Sequence, residues 1–238
     1  MNRNKIFSLA FRFVGKDGFK LDDAVPLSYV AEICVSYALS AARGMMRGFG
    51  FAQKKGPVFI GSGVKLRNKS KISLGSKVRL RDGAFIDALS TDGVHLGDRS
   101  LLGRNTRIEC TGSIAHIGKG VSIGHDTTFG SDCYFGAAGG IEIGNDVMAG
   151  QYVRFHSENH NMSNTDRLIR EQGVTHCGIR VGDDVWIGSG AVFLDGAIVG
   201  RGSVVAANAV VVAGEYPDYS ILGGVPAKVI KSRIKECD

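Results

Sequence analysis

Cysteine pairs, tryptophan and long apolar runs are what this sequence is short of. Its five cysteines, Cys34, Cys110, Cys133, Cys177 and Cys237, are scattered and none forms a C-x-x-C pair. An odd, dispersed set argues against a disulfide framework and fits the reduced thiols of a cytoplasmic protein. There is one Trp in 238 residues. No helix-turn-helix, zinc-finger or aromatic-plus-basic signature is present, so nucleic acid is not an expected partner. The window 24–42 is nearly long enough to cross a membrane, but Glu32 and several serines interrupt it. Basic residues precede a short apolar run at 6–14 without a small-residue cleavage site, so no secretory leader is expected.

What is present is glycine, 34 residues spread along the chain instead of clustered as in a linker. Charged residues make up 22% and hydrophobic ones 44%, an ordinary folded composition. The net charge of +6 permits an anionic partner such as a phosphate-bearing cofactor, a nucleotide sugar or a membrane surface.

Residues 1–56 differ from the rest. Ser28, Glu32, Ser36, Ser40, Arg43 and Arg47 recur at close to helical period, opposite a stripe of Leu27, Val30, Cys34, Tyr37, Ala38 and Ala41. Pro26 suits the first turn, and Gly48 and Gly50 suit the end. Such a helix has two uses. It can cover the open end of the repeat that follows, or lie on a membrane surface with Arg43, Arg47, Lys54 and Lys55 near anionic headgroups.

From Val58 a six-residue repeat takes over. Its plainest copies are V-S-I-G-H-D at 121–126, I-E-I-G-N-D at 141–146, V-W-I-G-S-G at 185–190 and A-I-V-G-R-G at 197–202. A large apolar residue recurs every six: Leu74, Leu80, Ile86; Leu96, Leu102, Ile108; Ile117, Ile123, Phe129, Phe135; Ile143, Ala149, Phe155; then Val181, Ile187, Phe193, Val199, Val205 and Val211. Alternation within each unit is a strand signal, and the Gly, Asn or Asp that follows supplies a turn. The array predicts a parallel β-helix in which each rung buries its apolar residue on the next. Extra residues near 68–71, 88–93 and 110–116 predict bulged loops.

The repeat stops once at length, between Phe155 and Gly178. The segment 156–178 is polar and carries His156 and His160. A regular scaffold interrupted by a long polar loop commonly carries its chemistry there.

The repeat resembles the hexapeptide acyltransferases over roughly residues 57–233, with 234–238 a tail. G-D-D-V-W-I-G-S-G at 182–190 and G-G-V-P-A-K-V-I-K at 223–231 resemble the sugar and polysaccharide O-acetyltransferase branch, which includes galactoside, maltose and streptogramin acetyltransferases. The resemblance implies an all-β fold, a left-handed parallel β-helix of hexapeptide repeats with an N-terminal helical segment and one long excursion loop. The left hand comes from the resemblance alone, because connections between parallel strands are normally right-handed.

The resemblance also implies a homotrimeric, acetyl-CoA-dependent O-acetyltransferase acting on a saccharide acceptor in surface-polysaccharide biosynthesis. N-acetylation of a nucleotide-linked amino sugar is the alternative. Asn159-His160 takes the place of the family's catalytic N-H or G-H, which makes His160 the general base. A sugar hydroxyl is a weak nucleophile until such a base removes its proton, and imidazole titrates in the useful range. Glu158 is one candidate to orient it. His156, Asn159, Asp132, Arg167 and Trp186 become candidate substrate contacts.

For acetyl-CoA, the carried-over positions are the Gly188, Ser189 and Gly190 turn, Ala207, and the cations Lys228, Lys231 and Arg233 for the phosphates. Val212-Ala213 stands where relatives often have Thr-Lys, and 133–140 lacks an acceptor-holding Asn and Asp. His125, His156 and His160 also invite comparison with γ-type carbonic anhydrases, whose metal is held by three histidines. The four-residue spacing of the last two, and the W-I-G and V-P-A-K segments, favour acyl transfer instead, with no metal. The expected location is cytoplasmic, with peripheral contact at the inner face of the membrane through the helix. The remaining rival is a non-catalytic scaffold.

Overall fold

A strand of three residues cannot stand alone, and a six-residue period forces a corner after each one. The computed structural model, which describes Asp22 and residues 24–234, shows how the corners are made. Non-glycine residues in the left-handed region recur there: Lys77, Arg99, Asp126, Asp146 and Asp184, with φ of 59°, 59°, 56°, 57° and 54°, at the first corner. Asn105, Asp132, Tyr152 and Asn208, with φ of 55°, 61°, 60° and 58°, hold the second. Asn and Asp tolerate this conformation best among side-chain-bearing residues, which explains their abundance after the glycines.

Each first corner also caps its neighbour. Asp98 Oδ1 accepts from the Ser76 amide at 2.8 Å, Asn145 Oδ1 from His125 at 3.0 Å, and Asp183 Oδ1 from Asn145 at 2.6 Å. Amides that the turn leaves unpaired are thereby satisfied from one coil to the next.

The result is a left-handed parallel β-helix with three faces. The first sheet has eight strands from Gln53–Lys54 to Gly214–Tyr216, and the second has nine from Val58–Ile60 to Ala227–Ser232. The third has seven, ordered Lys65–Arg67, Phe85–Asp87, Arg107–Glu109, Tyr134–Gly136, Arg154–His156, Val192–Leu194 and Val210–Val211. Pairing within these sheets is parallel except at the end, where Ser220–Gly224 and Ala227–Ser232 fold back antiparallel.

The inward residues follow the period of six and fill the core: Leu74, Leu80, Ile86, Leu102, Ile108, Phe135, Phe155 and Phe193 are at most 1% exposed. Phe155 lies between Phe135 and Phe193, with ring centroids 4.9 and 4.7 Å away and near-parallel planes. Ile117 breaks the expected pattern and is 55% exposed. It ends an insertion, and the strand restarts at Gly118, so the core residues of that coil begin with Val121 and Ile123.

The helix spans Leu27–Met46 and packs on Val58–Ile60, the outermost strand of the second sheet. Val30 is buried, Tyr37 meets Phe59 edge-on at 5.9 Å, and Gly44 sits against the Val58 carbonyl. A Cβ on Gly44 would lie 1.9 Å from that oxygen, so only glycine allows this approach. Covering the end strand protects it from pairing with another chain. Leu27 and Ala38, expected on the packed stripe, are exposed, as are Val35, Leu39 and Met46 on the outer side. Among the described residues no helix is long and apolar enough to cross a membrane.

All the longer excursions leave from the third corner, between the third sheet and the first. They are 68–71, 110–117 and 157–178, whereas residues 90–93, expected in a bulged loop, instead begin the first-sheet strand Ser90–Leu96, whose pairing with Gly118–Ile123 shifts register there. The outer face of the third sheet is therefore bordered by loops along one edge.

Candidate active site

The longest excursion is pinned at both ends by buried polar side chains. At its start, Ser157 Oγ donates to the Gly136 carbonyl at 2.9 Å and accepts from the Gly139 amide at 3.0 Å. At its end, Asp195, only 2% exposed, accepts from the Cys177 amide at 2.9 Å and the Gly178 amide at 2.7 Å. Between these anchors Asn159–His160 pairs antiparallel with Val174–Thr175. Gln172 Nε2 donates to the carbonyls of Asn164 and Arg167 at 2.8 and 3.0 Å, and Arg167 donates to the Glu171 carbonyl at 2.8 Å. The loop is thus an ordered hairpin whose base presents His160 at the head of the third sheet.

His156 lies on the outer face of the last strand before the loop, half-buried, its ring 5.5 Å from that of Tyr134. Burial, and then the charge of Arg154, push its pKa below the ordinary 6.5, so the neutral ring is favoured. Glu158 does not pair with His160. Its carboxylate lies 3.7 Å from Nε2 of His176, a loop histidine that sequence reasoning passed over.

Both His156 and His160 line a groove of about 950 Å³ that runs down the third sheet to Lys65 and Arg67. Its floor follows from the register. Phe85, Arg107 and Tyr134 stack across neighbouring coils, as do Asp87, Glu109 and Gly136. Tyr134 Oη donates to Glu109 Oε2 at 3.1 Å, and burial together with the Glu109 charge raises the phenol's pKa, keeping it a donor. Arg107 pairs with Glu109 at 2.5 Å and lies over the Phe85 ring at 4.5 Å. These floor residues were not anticipated. They flank the inward Ile86, Ile108 and Phe135 by one position, so the alternation already placed them on one outer face.

The other expected contacts are not gathered here. Asp132 sits at the second corner, where its Oδ1 accepts from Asn105 Nδ2 at 3.1 Å. Trp186 is 56% exposed on the second sheet. Neither they nor Arg167 lines the groove, and Asn159 sits beside it in the hairpin.

The positions expected to meet the cofactor lie along the second corner. Ser189 and Ala207 are exposed one coil apart, with the Asn208 amide donating to the Ser189 carbonyl at 3.0 Å. Gly188 N–H is bonded to Val205 O at 2.7 Å and Gly190 N–H to Gln151 O at 2.8 Å. Of the three amides in that turn, that of Ser189 alone has no acceptor among the described residues. Lys228 and Lys231 are exposed on the closing strand Ala227–Ser232. Arg233 is committed elsewhere: its guanidinium bonds the Gly202 carbonyl and lies 3.7 Å from Asp184 at the first corner.

His125 also lies at the first corner, so the chain itself does not assemble His125, His156 and His160 into one ligand set. His125, Asp126 and Asp146 do converge there. Arg99 occupies the same place, its Nε bonding Asp126 at 2.6 Å and holding that carboxyl below its ordinary range.

Comparison with known proteins agrees with this architecture. Residues 178–213 match the model "Bacterial transferase hexapeptide (six repeats)", and residues 120–150 match "Hexapeptide repeat of succinyl-transferase". A probable acetyltransferase of Mycobacterium tuberculosis is 31% identical over 179 residues, 75% of this chain. The chain carries the repeats of the hexapeptide-repeat acyltransferases. It spans 51% of that mycobacterial relative's length. Escherichia coli WbbJ, assigned by name to lipopolysaccharide biosynthesis O-acetyl transfer, is 29% identical over 70% of this chain and 74% of its own. Among solved structures, the Bacillus cereus N-acyltransferase AntD, bound to dTDP-4-amino-4,6-dideoxyglucose and coenzyme A, is 18% identical with a TM-score of 0.54. That match covers 81% of this chain and 89% of AntD, a likeness of fold.

Proposed function

We propose that the chain is an acetyl-CoA-dependent O-acetyltransferase that modifies a saccharide hydroxyl, with His160 as the general base. The observation that carries this reading is the placement of His160, exposed at the head of a polar groove on a hexapeptide-repeat acyltransferase scaffold. The acceptor oxygen attacks the thioester carbonyl as the His160 imidazole takes its proton. The tetrahedral intermediate collapses with cleavage of the C–S bond, and the imidazolium returns the proton to the departing thiolate. Base catalysis of this kind contributes roughly 10²–10⁴-fold. The unpaired Ser189 amide is suited to the oxyanion, and Lys228 and Lys231 to the cofactor phosphates.

Ser189 and His160 border opposite edges of the third sheet of one chain. This suits a homotrimer in which the thioester along the second corner of one copy meets the His160 edge of the next. The WbbJ match supports a surface saccharide as acceptor, and we assign the reaction to the cytoplasm, with the N-terminal helix at the inner membrane face.

His160→Ala should lower acetyl transfer at least about 100-fold while acetyl-CoA binding, measured by calorimetry, persists. Near-normal turnover in that variant sinks the mechanism. Running amino sugars beside hydroxyl acceptors in the same assay decides between ester and amide products, and preference for the amines turns the reading to N-acetylation.

A further inference from the structure

We propose that the groove on the third sheet binds the acceptor as an extended saccharide of several units, with Phe85, Arg67 and Arg107 forming a distal subsite far from the reacting hydroxyl. The inference rests on the acetyl-transfer reading and names the class of acceptor.

The first observation is length. Lining residues run from His160 and His156 to Lys65 and Arg67, across four inter-strand steps of the third sheet. At about 4.8 Å per step that is roughly 19 Å, longer than any single sugar. The volume of about 950 Å³ stands at the upper end of the roughly 300–1,000 Å³ usual for small-ligand sites.

The second is charge balance. The lining holds three basic side chains, Lys65, Arg67 and Arg107, and three acidic ones, Asp87, Glu109 and Glu158. The arginines are already paired, Arg67 with Asp87 at 3.6 Å and Arg107 with Glu109 at 2.5 Å. A nucleotide diphosphate is best held by several cations free of carboxylate partners, and beyond the two paired arginines this groove offers Lys65 alone. Carboxylates that accept and guanidinium groups that donate, side by side, suit a chain of neutral hydroxyls, each of which does both.

The third is the clustering of recognition groups away from the loop. Arg67 and Arg107 both lie over the Phe85 ring, at 5.4 and 4.5 Å from its centroid. Phe85 therefore gathers two guanidinium groups about three coils from the loop histidines, too far for direct participation in the chemistry. A recognition surface remote from the reacting atoms serves binding of the rest of a long substrate.

The test uses oligosaccharides of one to eight units, prepared by partial hydrolysis of the surface polysaccharide of the cells that make the protein. For the wild type, kcat/KM should rise by at least about tenfold from one unit to four or more, the effect of one or two net hydrogen bonds. Phe85→Ala and Arg107→Gln should shrink that long-to-short ratio toward one, whereas His160→Ala removes transfer to every length. A wild-type ratio near one, or a ratio indifferent to both variants, overturns the extended site and leaves acetyl transfer standing. Binding of the same ladder by calorimetry needs no turnover. Length-dependent binding that both variants weaken, without any transfer, supports the groove and defeats the transferase reading instead.

Discussion

The third sheet has one inner face and two kinds of outer face. Before the excursion loop its outward residues include Lys65, Phe85, Arg107, Glu109, Tyr134, Arg154 and His156; after it they include Val192, Leu194 and Val210. The inward column hardly changes across the same boundary, running Ile86, Ile108, Phe135, Phe155, Phe193 and Val211, all fully buried. Backbone pairing is also continuous, with Arg154 opposite Val192 and His156 opposite Leu194. Coil formation is thus carried by every second residue, and the alternate positions are free to differ. A charged, aromatic groove and a half-buried apolar strip can occupy neighbouring coils of one scaffold because neither takes part in holding it together.

The sharpest way to break that division is to cut the inner column and, separately, the outer one. Phe155→Ala removes a ring packed on both sides by other rings. Its side chain is completely buried, and truncation should cost about 3–5 kcal/mol, read from urea unfolding. Arg107→Ala, two coils below on the outer face, removes an ion pair whose partners are 51% and 33% exposed. Such a pair is worth about 1 kcal/mol or less. If the arginine variant unfolds as readily as the phenylalanine variant, inner and outer residues are not separable in the way described.

The junction between the two outer faces should fail by a different route. Asp195→Ala removes the buried acceptor of two loop amides, and leaving them unsatisfied costs about 1–3 kcal/mol. Because the two donors, the Cys177 and Gly178 amides, belong to the end of the loop, the loss should appear locally. Limited proteolysis within 161–173 should speed up before global unfolding becomes easier. Proteolysis unchanged from wild type would mean that the hairpin is held by its own internal bonds alone.

These contrasts also explain what could be read from residue order. The inward column is legible because burial repeats every six residues, and the corners because Asn, Asp and Gly tolerate left-handed backbone. Ile117 was misplaced because the insertion ending there has no period to follow. The groove was missed for a related reason. Arg107 and Tyr134 are 27 residues apart and meet only because an insertion of unpredictable shape separates their coils. The polar loop and its histidines stood out as the break in a regular pattern. Which loop residue faces which, including Glu158 against His176, depends on the hairpin's three-dimensional closure. The left hand of the coil was available through family resemblance and not through physics of local sequence.

The smallest expected effect concerns His156, the outward residue next to the inner column's most enclosed ring. Burial, and secondarily Arg154, hold its pKa below the ordinary 6.5. The unfolded chain therefore takes up a proton at this position at a higher pH than the folded one. Its contribution to stability is fully present above 6.5 and is lost as pH falls from there toward the folded value. Asp126 titrates in a separate, lower window, because its carboxyl is held below 3.8 by Arg99. The two are distinguishable on one pH series of thermal midpoints. His156→Gln should flatten the upper slope, just below 6.5, and leave the lower one unchanged. An upper slope that survives the substitution would assign it to another group and place the His156 ring in a more solvated position than its contact with Tyr134 implies.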